Sequence, residues 1–512
     1  MPPIEIELKF QLMPGSEAIL RAGEIFGPAA QHVHQITTYH DTPDSLLFAS
    51  GLTLRVRQVN DSFVQCVKSC SDGLGLASSR NEWEWPVANG TPDVGILAGV
   101  PELAAIAGQI TGRIAGQITG RLRPIIVTDV WRTKRLLDLE DGAVAEASLD
   151  IGSVAAGATS EPICEIELEL KHGPVAPLYR LATRFTDLAP MWISAQSKAA
   201  RGWSLRNGHG GGAIVLHKPK IGKKVSVAAG LHRMIGAMLS QLTANIAPTL
   251  SGDPEALRQM RGALRHLRAV LRLFGPMPNR NEGARFDHTL HRFAQSFGRA
   301  RDWDVFCLQT LPAIMADLPD RDWGDLARLA ETKRNAAKAI VEDAIRGPVL
   351  TAAILDLALW SETCATKPKV IGTRRLNQPL SDYAPALLDA MARKARRAGR
   401  HPERLSMAGL HDFRKALDRL NAAIRFLGAT YPAHAVAAYR KRSDAVRDII
   451  GAANDAEVTK AMAFGLVAEG SPDFSASATA LVAWAEQRQA HALTGLKPAA
   501  RRFRTEPEFW QD

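Results

Sequence analysis

No stretch of this 512-residue chain approaches about 18 uninterrupted apolar residues, the length a membrane-spanning helix needs. The best run, Gly347 to Trp360, is broken by Asp356. The N-terminal segment has no basic region followed by an apolar one, so no secretory leader is expected there. Cysteine is scarce, odd in number and scattered: Cys66, Cys70, Cys164, Cys307 and Cys364. That argues against a disulfide framework or a CxxC zinc site, and fits free thiols in a reducing cytoplasm. Aromatic residues make up only 6% of the chain, which leaves little for stacking on nucleic-acid bases. No GxxxxGK phosphate loop followed by Ser or Thr occurs, which removes the P-loop hydrolases. What is present is an ordinary globular composition, 46% hydrophobic and 23% charged, long enough for about three folded units.

The net charge of +10 hides an asymmetry. Residues 1–205 carry 17 Lys and Arg against 23 Asp and Glu, a balance of −6. The remainder carries 46 against 30, a balance of +16. An acidic half joined to a basic half implies two different tasks.

The two halves also differ in period. The first alternates with period two, as strands with one charged face do. Ile4-Glu5-Ile6-Glu7-Leu8-Lys9-Phe10, Leu54-Arg55-Val56-Arg57, Glu82-Trp83-Glu84-Trp85 and Glu165-Ile166-Glu167-Leu168-Glu169-Leu170 all follow it. Turn residues such as Asn60-Asp61 and Asp141-Gly142 separate these runs, so the half reads as antiparallel strands, with helical patterns near 15–26 and 175–188. An eight-residue tandem copy, Ala107–Ile114 followed by 115–121, reads as a tolerated loop duplication. Residues 206–217, opening Arg-Asn-Gly-His-Gly-Gly-Gly-Ala, read as a linker. From about 225 the period becomes 3.6, and the chain repeats itself at an offset of 153. Leu257/Leu410, Arg261/Arg414, Leu264/Leu417, Arg272/Arg425, Gly298/Gly451 and Asp302/Asp455 are identical pairs. An ungapped register of that length implies two related helical bundles, over 218–505.

The charged faces of the first half contain few Ser, Thr or Gln. A solvated sheet explains any one strand; a barrel or tunnel with a charged interior explains the set. Carboxylates at Glu5, Glu7, Glu146, Asp150, Glu165, Glu167 and Glu169 suit hard cations such as Mg²⁺ or Mn²⁺. Lys9, Arg55, Arg57, Lys68, Arg80, Arg132, Lys134 and Lys198 suit a polyanion. Lys134 and Arg135 compete for one role, and strand parity with Arg132 favours Lys134.

The Glu5-x-Glu7-x-Lys9 segment resembles the signature of the CYTH superfamily, the triphosphate tunnel metalloenzymes. The order Tyr39-His40-Asp41-Thr42, Arg55-x-Arg57, Lys68, Arg80, Glu146 to Asp150, Glu165-x-Glu167-x-Glu169 and Ser197-Lys198 is similar to that family over about 1–205. The resemblance implies an eight-stranded antiparallel tunnel with flanking helices, and hydrolysis of inorganic triphosphate. Thiamine triphosphate, or cyclisation of ATP, is the alternative. It implies Glu5, Glu7, Glu165 and Glu167 as metal ligands. Lys9, Arg55, Arg57, Lys68, Arg80, Arg132 and Lys134 become the phosphate cradle. Glu146, Asp150 and Lys198 become the catalytic group, Glu146 and Asp150 binding a second metal or ordering the attacking water and Lys198 also joining the cradle.

In the second half, Leu257, Met260, Leu264, Leu267, Leu271 and Phe274 form an apolar helical stripe. Arg258, Arg261, Arg265, Arg268 and Arg272 follow it one residue later. The second copy offers His411, Arg414, Lys415, Arg419 and Arg425. Stacked arginines without interleaved Glu repel by a few tenths of a kcal/mol per pair, which points to an anion. The scarcity of aromatics favours a polyanion without bases over nucleic acid. These segments resemble the CHAD domain over about 218–500, which implies polyphosphate binding; a polyphosphate-binding protein with residual catalysis is the alternative to the enzyme. Arg258 stands where that family usually has its first histidine, and His411 keeps the second.

Overall fold

The computed structural model describes residues 4–69, 76–101, 103, 122–208, 212–215, 221–222, 224–274, 280–366, 374–469 and 474–511. The tandem copy at 107–121 and Cys70 lie outside them, and the four described cysteines are free. Two compact units divide the chain. One comprises Met1–His217, Leu239–Met260 and Ala344–Glu362; the other comprises Lys218–Met238, Arg261–Asp343 and Thr363–Asp512.

The first unit is built on an antiparallel sheet of β1 (Ile4–Leu12), β2 (Gln31–Asp41), β3 (Leu52–Val59), β4 (Ser62–Ser69), β5 (Ser78–Val87), β6 (Arg123–Asp138), β7 (Val144–Ala156), β8 (Thr159–His172) and β9 (Met191–Ser194). Their order is β5-β4-β3-β2-β6-β7-β8-β1-β9. The sheet therefore has nine strands, not the expected eight, and it is not a barrel closed along its whole length. The reason lies in β1, whose free edge is divided. Ile4–Glu7 pair with β5, and Lys9–Leu12 pair with β9. The helices Ser16–Ala22 and Ala176–Leu188 fall where the 3.6 period placed them.

Alternation decides which face is which. Leu8, Phe10, Ile166 and Leu168 are buried outside the charged interior. The run Val64-Gln65-Cys66-Val67 breaks the rule because both faces of β4 are covered. The Gln65 amide is tied to the Asp93 backbone at 2.7 and 3.0 Å, and Val67 packs with Leu97, Val100 and Leu103. Asp41 accepts the Thr42, Leu47 and Phe48 amides at 2.7–2.9 Å, which starts the short helix Leu46–Ala49. The helix Lys198–Arg206 is capped by Ser197, whose hydroxyl accepts the Ala200 amide at 3.1 Å. That helix lies against the sheet at Gly202, where a Cβ would stand 2.3 Å from Ile126, itself fully buried. Gly202→Ala should therefore cost about 2–3 kcal/mol by overpacking, read as a lower midpoint in chemical denaturation.

From Val227 onward the described elements are helices, and the repeat is visible in their boundaries. Pro254–Phe274 maps at an offset of 153 onto Met407–Leu427, and Arg280 maps onto Ala433, the starts of the next helices. Both apolar stripes are buried, from Leu257 to Phe274 and from Leu410 to Leu427. The copies diverge at Phe306–Thr310, a π-helical turn preceding the helix Leu311–Asp317. Pro312 lacks the amide that would continue the α-helical ladder. The second copy has Gly465 there, and its helix Ala433–Glu469 runs on unbroken. One described helix, Pro348–Thr366, is long and apolar enough to cross a membrane by length and composition, and 56% of its apolar window is buried in the protein.

Candidate functional site

The interior face of the sheet encloses a cavity of about 550 Å³. Strand register explains its lining. On one side Lys9 pairs opposite Glu167, Glu7 opposite Glu169, Asp150 opposite Glu165 and Arg132 opposite Asp150. On the other, Lys68 pairs opposite Thr53 and Glu82, and Arg55 opposite Tyr39. Residues distant in sequence thus meet because they share strand parity.

The cavity brings together Glu5, Glu7, Lys9, Arg55, Arg57, Lys68, Arg132, Lys134, Glu146, Asp150, Glu167 and Lys198. Glu165 lies just behind its wall, on Lys198. The backbone of Arg80 pairs opposite Glu5, and its side chain lies outside the described residues. Arg135 faces away, donating to the Glu24 and Ile25 carbonyls, while Lys134 lines the cavity on the same strand face as Arg132. Glu169, read from the sequence as one of the carboxylates suited to a hard cation, also lines the cavity, as do Glu82, Glu84 and Lys171, which received no role from the sequence. Parity was the available signal: Lys171 continues the series of Glu165, Glu167 and Glu169.

Glu167 is the hub. Its carboxylate lies 2.6 Å from Lys9, 3.0 Å from Lys198 and 2.5 Å from Arg132. Arg132 also takes Asp150 at 2.5 Å, and Lys198 takes Asp150 at 2.6 Å and Glu165. Across the cavity Lys68 lies 2.8 Å from Glu5 and 2.9 Å from Glu82, and Arg55 lies 3.4 Å from Glu82. Glu7 sits 3.1 Å from Lys9, and Glu146 3.5 Å from Lys134.

Burial opposes the charge on Glu167, but Lys198, Lys9 and Arg132 outweigh it and hold the carboxyl well below its ordinary range. Asp150 is lowered in the same way, burial being outweighed by Arg132 and Lys198. Glu169 goes the other way, raised by its burial against the pull of Lys171. Arg57 is lowered by Arg55, burial and Arg132, a crowding of cations that an anion would relieve. The lowered carboxyls set a sign. Their ionised forms favour the folded state, so their contribution is present above the ordinary carboxylate range near 4 and lost as pH falls through the lowered values. Thermal melts should drop steeply below about pH 4, and Glu167→Gln should flatten that drop.

Carboxylate oxygens of Asp150, Glu165 and Glu167 lie within 4.8 Å of one another. An all-oxygen set of that size fits a hard divalent cation. Glu5 and Glu7, expected to join Glu165 and Glu167, lie on Lys68 and Lys9, as Glu165 and Glu167 lie on Lys198 and Lys9. Cys66, Glu82 and Glu84 form a second such group, less suited to a hard cation because of its sulfur.

Along the helix Pro254–Phe274 the arginine stripe divides. Arg258 pairs with Glu255, and Arg268 and Arg272 share Asp287 at 2.9 and 3.0 Å. The expected lack of counter-charges is thus corrected: Asp287 comes from the neighbouring helix. Arg261 and Arg414 each act on both Asp302 and Asp455, whose carboxyls burial raises. Arg425 lies beside Arg440, burial lowering it first, and its Nε is buried without a hydrogen-bond partner. His411 is exposed, and Lys415 pairs with Asp412. Arg265 interacts with Asp418, Arg261 and Arg414, and Arg419 is half-buried.

Two family models match successive parts of the chain, and several known proteins are similar to parts of it. An inorganic triphosphatase of Haemophilus influenzae is 29% identical over 204 residues, which are 39% of this chain and 54% of that protein. The match thus spans about half of that relative's length. The CHAD domain of the plant Ricinus communis superposes with a TM-score of 0.49 at 21% identity, covering 57% of this chain and 97% of that one. A Hippeastrum protein whose structure reveals a dominant triphosphatase activity superposes at 0.30 and 19% identity, covering 40% and 96%. The family model described as the CYTH domain matches residues 3–203, and that described as the CHAD domain matches residues 233–463. The chain is therefore a CYTH domain followed by a CHAD domain.

Proposed function

We propose that the CYTH domain hydrolyses inorganic triphosphate with a divalent cation, and that the CHAD domain binds polyphosphate. The observation that carries the first part is the enclosed cavity in which Lys9, Arg55, Arg57, Lys68, Arg132, Lys134 and Lys198 confront a carboxylate cluster. These cations offset the charge of a phosphate chain and hold it in line. Glu146 or Asp150 orients a water for attack on the terminal phosphorus. The P–O bond to the rest of the chain breaks, and phosphate and pyrophosphate leave. Mg²⁺ or Mn²⁺ would be held by Glu165 and Glu167 with Asp150, and by Glu5 and Glu7, and would supply neutralisation of the phosphate oxygens.

Lys198 lies among the same carboxylates, so its ammonium and a divalent cation compete for them. Lys198→Met should tighten Mn²⁺ binding without substrate by about tenfold, read from free Mn²⁺ by electron paramagnetic resonance, while slowing hydrolysis. Unchanged Mn²⁺ affinity would remove the competition.

The reading is tested with triphosphate, polyphosphate, ATP and thiamine triphosphate across Mg²⁺ and Mn²⁺. Triphosphate is expected to be cleaved fastest. Undiminished cleavage after Glu5→Ala or Glu7→Ala would refute the placement of the metal.

A further inference from the structure

The two copies of the helical repeat differ at one helix end. Val227–Ala244 and Leu380–Ala398 begin at equivalent residues, 153 apart. At and just beyond their C-terminal ends the first copy has Ser240, Gln241, Ala244 and Ala247, where the second has Arg393, Lys394, Arg397 and Arg400. The helix therefore forms without charge at these positions, and neighbouring cations on it repel. A helix dipole favours cations in the last turn. That end is already served by Arg504, which donates to the Gly399 and Arg400 carbonyls. Arg504 belongs to the helix Leu496–Thr505, and Arg501 lies one turn before it on the same side. Residues 390–404 and 496–505 hold ten Lys and Arg against one acid, Glu403. Glu506 and Glu508, next along the chain, are turned to Arg442 at 3.2 Å and to Arg396. Arg393, Lys394, Arg397, Arg400 and Arg501 are all exposed, and among the described residues their side chains have no ion-pair or hydrogen-bond partner.

We propose that these five side chains form a second docking surface for long polyphosphate, beyond the convergent Arg261 and Arg414. The inference rests on the reading of the CHAD domain as a polyphosphate binder and adds a surface that the arginine stripe does not include. Arginine forks match phosphate oxygens. Neither segment exposes a large apolar or aromatic side chain among the described residues. Bases thus have nothing to stack on, and a bilayer has nothing to receive. A flexible chain charged at every unit suits a face that offers charge alone. The face begins beside the helix that carries Arg414: a Cβ on Gly399 would stand 2.1 Å from the Phe413 ring.

The test titrates the full chain with long-chain polyphosphate at a series of salt concentrations. Arg393→Glu/Arg397→Glu should weaken binding about tenfold and lower the slope of log affinity against log salt by about two. Arg501→Glu, on the neighbouring helix, should lower that slope by about one. Thermal melts should match the wild type, because the residues are exposed; Arg393→Gln/Arg397→Gln repeats the test with a smaller loss if charge reversal disturbs the helix. Arg321→Glu/Arg328→Glu removes two exposed cations elsewhere in the same unit and should change affinity far less. Equal losses in that control would overturn the surface, since net charge alone would then explain binding. Unchanged affinity in the Arg393/Arg397 and Arg501 variants would overturn it too, and would leave polyphosphate binding by the domain standing. A wild type that binds no polyphosphate would remove that reading and the surface with it. Single-stranded DNA or phosphatidylglycerol vesicles that bind through these residues more tightly than polyphosphate at equal salt would overturn the choice of ligand.

Discussion

Glu167→Ala is expected to lower kcat/KM for inorganic triphosphate by about a thousandfold. Glu167 faces Lys9, Arg132 and Lys198 at once, and all three are largely buried. Its removal leaves the mutual repulsion of three cations without the carboxylate that offsets it, and it takes one oxygen donor from the carboxylate triad. Breaking a buried ion network by deleting one member costs about 3–5 kcal/mol, so the variant should also melt earlier. Glu167→Gln separates the two effects. It keeps the shape and accepts hydrogen bonds, yet it lacks the charge. Phosphate release and thermal melts on both variants check this. A folded Glu167→Ala protein that works at the wild-type rate would refute a catalytic network centred on Glu167.

Arg261→Ala/Arg414→Ala should weaken polyphosphate binding by about a thousandfold, as two charge-assisted contacts are lost. These two residues are related by the 153-residue repeat, and each interacts with both Asp302 and Asp455. They therefore converge, while Arg268 and Arg272 are committed to Asp287. Arg268→Ala should for that reason weaken binding far less. Calorimetric titration with polyphosphate distinguishes the two variants. Equal losses would mean that the whole stripe acts as one diffuse basic surface.

Much of this was legible in sequence because both halves obey a simple period. Glu165 to Leu170 alternates cleanly, and the structure buries Ile166 and Leu168 while turning Glu167 and Glu169 into the cavity. The helical repeat was readable to the residue, since Pro254 and Met407 begin equivalent helices. The failures have physical causes. Met191–Ser194 is only four residues long, too short for alternation to identify, yet it takes half the edge of β1. The alternation of β4 fails because Gln65, on its outer face, is buried by its bonds to Asp93. Side-chain pairing, which parity does not specify, sets Lys68 on Glu5 and Lys9 on Glu7 and adds Asp150 to Glu165 and Glu167 as a candidate ligand. Asp287 was missed as a partner of the arginine stripe because it lies on a different helix, where spacing along the stripe gives no signal.

The central claim is that the charged cavity binds triphosphate and cleaves it with the help of a divalent cation. Phosphate release from inorganic triphosphate, followed while Mn²⁺ or Mg²⁺ is titrated into chelator-treated protein, measures this directly. The expected result is turnover that is absent without the metal, rises to saturation with it and is lost again on chelation. A folded protein that releases no phosphate above the blank at any metal concentration, or that releases it equally with and without metal, would contradict the claim.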